Sequence, residues 1–448
     1  MKIKSTIVAV LVLISYAAVA QTIPIPPYPK GYFQWPLHLT PGIAANFGEL
    51  RPNHYHMGLD IRTDHKQNQQ VFAAAEGYIA RVKIEPQGFG RSIYINHPNG
   101  LTTVYAHLND FNPELEKYVT DQQYQLKSWR VFLDIPPDLF PVKKDQFIAY
   151  SGNTGGSQGP HLHFEIRDTK TDKVLNPLLF GMPINDNIPP DIYKLAVYNR
   201  NSSVFDESPK IYAVKKVNGV YIVPALIRTV ASKISFAIMA FDRYENSGGR
   251  NGIFQALLFD STKPIAGFQL DSISYNETRD CNAHIDYRIR SKGGGWLEHV
   301  SRLPGYVVSP YHLINGDGAV YISDDSIHKM HIDVSDAYGN TSVMQFQIQR
   351  GPMIQGSTSY VWAGTNAFFF PNKENKFETE DFIIELPENC VYDVIHSSFS
   401  SEGAPPFKTY TINASDIPVH GYFTVKIKAD IPAESQNKVV MMCAGRGT

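Results

Sequence analysis

The chain has 448 residues, of which 43% are hydrophobic and 19% charged, with 41 Lys and Arg against 43 Asp and Glu. That length suits two or three domains, and the apolar content is enough to build real cores, so a disordered chain is excluded. The near-neutral balance holds no basic run, which excludes nucleic acid as a partner, because phosphate binding needs clustered Lys and Arg.

Residues 1–20 have the pattern of a cleaved export signal: Lys2 and Lys4 lead, Ile7 to Ile14 form an apolar run, and Ala18-Val19-Ala20 gives a small-residue cleavage site. The apolar run is shorter than the ~20 residues a bilayer span requires. Gln21, not Cys, follows the expected cut, and no later stretch is apolar enough to cross a membrane. The expectation is an exported protein, periplasmic or extracellular, with no stable membrane anchor. Loss of Lys2 and Lys4 leaves 39 basic against 43 acidic residues, a net charge of −4.

Residues 21–35 are rich in Pro and aromatics and read as an extended lead-in to a domain over 21–188, with its core at about 37–183. Short β-like runs follow at Val71–Val82, Ser92–His97 and Leu101–His107. The last two flank Pro98-Asn99-Gly100, and Asn-Gly between alternating apolar residues signals a hairpin. From about 110 to 141 a more helical stretch with Pro136-Pro137 reads as an insertion that narrows the groove or covers it as a lid.

Asn187-Ile188-Pro189-Pro190 breaks the chain. Beyond it, residues 189–350 carry strand-like runs with hairpin cues at Asn218-Gly219 and Asn315-Gly316, and His328 to Gln349 alternates as strand, turn and strand. That suits an antiparallel, Ig-like β-sandwich. Residues 351–448 read as a second β-rich domain, whose end soon after an apolar strand leaves it open to being incomplete. With 25 Tyr, 25 Phe, 30 Pro and 32 Gly, the whole chain is expected to be mainly β. Cys281, Cys390 and Cys443 have no CxxC neighbour, so a thiolate zinc site is not indicated; Cys390 with Cys443 is the candidate disulfide.

Three segments carry chemistry: His56-Met57-Gly58-Leu59-Asp60, Tyr105-Ala106-His107-Leu108, and the run from Gly152 to Glu165 that ends in His161-Leu162-His163-Phe164-Glu165. On a strand, His161, His163 and Glu165 share one face, while Leu162, Phe164 and Ile166 take the other. Two His on one face serve one metal together, or divide metal binding and proton transfer between them. His56 and Asp60 add a His and a carboxylate around a glycine, a set that suits zinc. The loop Gly152 to Gly159 lacks the GK[ST] ending of a phosphate loop and reads as a wall of a substrate groove.

In order and spacing, HMGLD, YAHL and GNTGGSQGPHLHFEIR resemble the hallmarks of the lysostaphin/LytM-type zinc metallopeptidases, over roughly residues 40–170. The resemblance implies an N-terminal antiparallel β-sheet metallopeptidase core, with Zn2+ bound by His56, Asp60 and His163. It makes His107 and His161 the catalytic pair that does not bind metal, with His161 favoured as the base toward water and His107 as the stabiliser. Glu165 is then either a second-layer support or an exposed strand carboxylate. His54 reads as a wall residue, His65 and His97 as turn residues, and Arg51 as a contact for a substrate carboxylate or a surface ion pair. The family cuts peptide bridges of peptidoglycan, the expected substrate and partner. A non-catalytic binding or regulatory protein on the same scaffold, and a secreted protease acting on proteins, are the alternatives. The sequence leaves the oligomeric state open.

Overall fold

The computed structural model describes residues 23–245, 249–306, 310–313, 315–352, 366–403, 408–412, 416–428 and 431. The expected export signal, residues 1–20, lies outside them. The described chain is mostly strand, as its composition predicts, and no described helix is long and apolar enough to cross a membrane.

The first unit is built on an antiparallel sheet. Across it run Ile43–Ala45, Leu59–Arg62, His161–Asp168, Leu101–Ala106, Arg91–Asn96, Gly77–Ile84 and Val131–Asp134. Leu162, Phe164 and Ile166 are fully buried on the core side of the strand His161–Asp168, among Leu59, Ile61 and Tyr105. Each such side chain stabilises the sheet by about 1.5–3 kcal/mol. The alternation that buries them turns His161 and His163 to the other face, so the core itself sets the direction of the histidines.

Pro98-Asn99-Gly100 forms the turn between Arg91–Asn96 and Leu101–Ala106, with Gly100 at φ +80°. The Val71–Val82 run, by contrast, is two strands: Gln70–Phe72 and Gly77–Ile84, interrupted at Ala73, Ala74 and Ala75, which are buried with the core. His97 is more than a turn residue. It is buried against Phe33, with Nδ1 bonded to Glu76 O and Nε2 to Thr103 Oγ1.

The 110–141 stretch does contain a helix, Pro113–Leu126, capped by Asn112 Oδ1 on Leu115 N and opened by Pro113, whose missing N–H costs nothing in the first turn. Its place corrects the lid expectation. Val131–Asp134 pairs along Gly77–Ile84 at the far edge of the sheet, and none of residues 110–141 lines the groove described below. The insertion broadens the sheet edge and leaves the groove alone.

Past the Pro189-Pro190 break, a five-stranded and an eight-stranded sheet lie face to face. Leu195, Ile234, Phe236 and Ile238 from one share a core with Leu258, Ile332, Val334 and Phe346 from the other. Asn218 (φ +50°) and Gly219 (φ +84°) turn Lys215–Val217 back onto Val220–Ile222, the two positive φ values that a tight hairpin prefers. Ile327–Ser335 pairs with Thr341–Arg350 as the alternation predicts. The sandwich is not purely antiparallel, since Val220–Ile222 and Ile227–Thr229 both run parallel to Thr341–Arg350.

Phe47, Tyr55, Met57 and Val174 of the first unit join the sandwich core, and Val174–Leu175 pairs with Ser272–Ile273. The two units therefore share both apolar packing and a sheet. The described part of residues 366–428 adds short strands around Phe369, Phe382, Ile384 and Ile395. Cys281 and Cys390 are buried and form no bridge among the described residues, and Cys443, the other half of the expected disulfide, lies outside them.

Candidate metal centre

Asp60 and His163 are direct partners across adjacent antiparallel strands, which brings both side chains to one face. His56 reaches the same point from the turn before. Its backbone is tied on both sides, by His56 N to Glu49 O and Gly48 N to His56 O. Gly58 makes this approach feasible: a Cβ there would lie 2.5 Å from Phe164 O and 2.9 Å from His163 Nε2. Only glycine fits between the motif and the strand it leans on.

His56 Nε2, His163 Nδ1 and Asp60 Oδ1 lie 2.9, 3.0 and 3.2 Å from one another. A tetrahedral zinc with bonds of ~2.0 Å separates its ligand atoms by about 3.3 Å. Two imidazole nitrogens and one carboxylate oxygen at nearly that separation could hold such an ion, with a fourth position left over. The outer nitrogen of each ring is also engaged. His56 Nδ1 meets Asn46 O at 2.7 Å, and His163 Nε2 meets Glu165 Oε1 at 2.9 Å. Such outer contacts fix tautomer and ring orientation in metal sites.

Glu165 is fully buried, which removes the exposed-carboxylate alternative. Arg167 Nε donates to its Oε2 at 2.6 Å, and the Tyr275 hydroxyl donates to its Oε1 at 2.6 Å. Tyr275 follows the Ser272–Ile273 strand of the sandwich unit, so a residue 110 positions away completes the support beneath His163. Neither Tyr275 nor Arg167 stands out in the sequence. A second brace reaches the turn that carries His56, where Tyr55 N donates to Thr278 Oγ1 and Asn282 Nδ2 donates to Asn53 Oδ1.

The electrostatics follow from burial around opposite charges. Burial alone would raise the Asp60 carboxyl, but His56, His161 and His163 around it hold it well below the usual carboxylate range. Burial would lower His163, yet Asp60 and Glu165 on its two nitrogens push it up to about 9. Glu165, despite its burial, is brought down to about 2 by Arg167 and His163. The metal-free cluster thus holds a proton that a cation would replace.

His107 and His161 stand beside this group with ring centroids 4.8 Å apart. His107 sits at φ +59° just past the strand Leu101–Ala106, with Nδ1 bonded to Thr154 O at 2.8 Å. Burial first, then the neighbouring charges of His163 and His161, lowers it to about 3, so it is neutral. His161 Nδ1 meets Gly159 O at 2.8 Å, and its Nε2 stands 3.3 Å from Asp60 Oδ1, so the ring is held against the donor set.

All five histidine and aspartate positions singled out in the sequence line one groove of about 980 Å3, with Phe89 and Tyr275 in its walls. His54 also lines it, but its Nδ1 turns to Pro52 O. Arg51 pairs with Glu49 at 3.0 Å and stands 3.6 Å from Asp60 Oδ2, so it belongs to the groove and not to a remote surface.

Residues 54–124 and 140–177 match the family model described as Peptidase family M23, and residues 366–448 match one described as Zu5-like domain. The first match skips 125–139, inside the edge insertion. An uncharacterized metalloprotease of Haemophilus influenzae is 29% identical over 163 residues, 34% of this chain and 28% of that protein. The cell division protein DipM of Caulobacter vibrioides is 30% identical over 32% of this chain and 19% of its own. The DD-carboxypeptidase/endopeptidase Mpg of Neisseria meningitidis is 30% identical over 29% of this chain and 23% of its own. The chain thus spans less than a third of the length of each of these relatives. Among solved structures, the catalytic domain of lysostaphin from Staphylococcus simulans matches at 23% identity and a TM-score of 0.23, over 30% of this chain and 87% of that one.

Proposed function

We propose, from the premise that this chain carries a peptidase family M23 domain, that it is an exported zinc metalloendopeptidase hydrolysing peptide crosslinks of peptidoglycan. The observation that carries the reading is the convergence of His56 Nε2, Asp60 Oδ1 and His163 Nδ1 within 3.2 Å of one another, beside the paired rings of His107 and His161. These three residues would hold the zinc, which when bound would supply Lewis acidity toward the scissile carbonyl and a lowered pKa for a water.

The chain's own groups do the rest. Backbone carbonyls on Nδ1 of His107 and His161 keep each Nδ1 protonated and leave each Nε2 with its lone pair. His161 takes the proton from the attacking water and returns one to the departing amine, and His107, neutral and with its Nε2 unprotonated, accepts a hydrogen bond that helps orient that water. Arg51 orients a substrate carboxylate at the mouth of the groove. The printed name of the Neisseria relative, a DD-carboxypeptidase/endopeptidase, favours a D-amino-acid crosslink as substrate, and the export pattern of residues 1–20 supports a periplasmic or extracellular enzyme.

The test is metal dependence on purified, crosslinked peptidoglycan. Protein stripped of metal is expected to release no peptide and to regain activity with Zn2+ alone. Undiminished release by the metal-free protein overturns the reading.

Tyr275 supplies a second expectation. Tyr275→Phe removes one donor from Glu165 and keeps the ring, so zinc affinity falls roughly tenfold while the fold persists. Competition with a chromophoric chelator measures it, and wild-type affinity in this variant would mean that Tyr275 only fills space.

A further inference from the structure

Outside the groove lining, three aspartates converge where the first unit hands over to the sandwich. Asp186 lies in the linker, Asp242 follows the strand Lys233–Phe241, and Asp336 opens the turn after Ile327–Ser335. Their exposures are 8%, 0% and 2%, and one carboxylate oxygen of each lies within 4.8 Å of the other two. Among the described residues, none of the three forms an ion pair with Lys, Arg or His.

Their hydrogen bonds are uneven. Asp336 Oδ1 accepts from Tyr338 N and Asn340 N, and its Oδ2 accepts from Asn340 Nδ2 at 2.7 Å. Asp186 Oδ1 accepts from Ile188 N, while Oδ2 receives no well-formed hydrogen bond and the carboxyl group sits against Asp336. Asp242 is fully buried and faces the other two, with neither carboxylate oxygen in a well-formed hydrogen bond and with the Tyr244 hydroxyl and the Arg243 N–H close by. A carboxylate taken out of water without a donor or cation is among the costliest groups a fold can hold. The turn that fixes Asp336 keeps one of its oxygens within 4.8 Å of an oxygen from each of the other two.

We propose that Asp186, Asp242 and Asp336 form a calcium site that staples the linker to two strand ends of the sandwich. All three donors are hard oxygens, which suits calcium or magnesium and not zinc, whose usual protein ligands include nitrogen or sulfur. Calcium accepts six to eight oxygens at about 2.3–2.6 Å, with carboxylates in one- or two-oxygen contact, whereas magnesium keeps several waters. Depth of burial favours the ion that sheds its water. Burial, with each carboxylate beside the others, also pushes Asp186 up to about 7 and Asp242 to about 8, the direction expected of a cage that lacks its cation.

The staple touches the zinc-site scaffold through ordinary contacts. Tyr244, two residues beyond Asp242, accepts from Asn46 Nδ2, and Asn46 exchanges two hydrogen bonds with Gly252. Asn46 O is the acceptor that orients His56. The calcium site therefore braces the segment on which one of the groove histidines rests, without contributing to the groove itself.

The test is equilibrium dialysis of the full-length, zinc-loaded protein against radiolabelled CaCl2 up to about 1 mM, the affinity range of weak extracellular calcium modules. Wild type is expected to retain calcium and to melt at a higher temperature with it. Asp242→Asn is expected to bind at least about tenfold more weakly, with its zinc content unchanged. Asp186→Asn, in the linker and outside both sheets, gives the same loss without risk to the sandwich core, and circular dichroism verifies the fold of each variant. Absence of calcium from wild type at that concentration overturns the proposal, as does undiminished retention by both folded variants. Displacement of calcium by equimolar MgCl2 overturns the assignment to calcium.

Discussion

His56→Ala and Asp60→Ala are each expected to abolish zinc binding, and the proposed release of wall peptides is expected to fall with it by at least about a thousandfold, since the metal's electrostatic contribution of several kcal/mol would be lost. The argument is geometric. Each substitution removes one of three donor atoms that sit 2.9 to 3.2 Å apart. Two remaining donors do not make a zinc site of the usual three-ligand kind. Asp60→Ala goes further, because that carboxylate faces His56, His161 and His163 together and its loss removes the contact that all three rings share. Neither side chain belongs to the apolar core, so the sheet is expected to stay folded. Zinc per chain, measured by elemental mass spectrometry on protein of verified secondary structure, decides it: full loading of either variant contradicts the ligand set.

The opposite pattern is expected of His107→Ala and His161→Ala. Both keep zinc and lose turnover by about 10²–10⁴, the usual contribution of a positioned acid or base. Their rings touch the donor set from the side, at 4.8 Å from each other, and each is oriented by a backbone carbonyl that no metal ligand supplies. Because a buried, neutral His107 with its imidazole lowered to about 3 stays unprotonated through the working range, the acid limb of the rate profile belongs to another group. Zinc loss in these variants, or activity within a few-fold of wild type, would remove them from the catalytic pair.

Much of this was legible because the signals are local. The alternation of Leu162, Phe164 and Ile166 with His161, His163 and Glu165 reads directly as two faces of a strand, and the buried side is the one predicted. Asn99-Gly100 and Asn218-Gly219 mark their turns for the same reason, since the backbone demand is met by the residues themselves. The residues that escaped are held by distance in sequence. Tyr275 reaches Glu165 across 110 positions, and nothing near Tyr275 announces a strand end beside a metal site. Asp186, Asp242 and Asp336 have no common spacing at all; only the sandwich and its linker bring them together. The insertion was legible as an insertion but not in its placement, because pairing with the edge strand Gly77–Ile84 is decided by the free edge and not by its own residues. Glu165 stood between two readings until its burial was visible, since one carboxylate on a strand face looks the same in sequence whether or not a second unit covers it.

The most direct measurement is the fragment profile of crosslinked peptidoglycan, of the diaminopimelate and the glycine-bridged kinds, digested by the zinc-loaded protein and by His163→Ala. The account predicts that wild type converts crosslinked fragments of one kind into monomers by cleaving one peptide bond, identified by mass, and that His163→Ala leaves the profile of the undigested wall. Unchanged crosslinks of both kinds with fully zinc-loaded wild-type protein, or equal cleavage by His163→Ala, would contradict it.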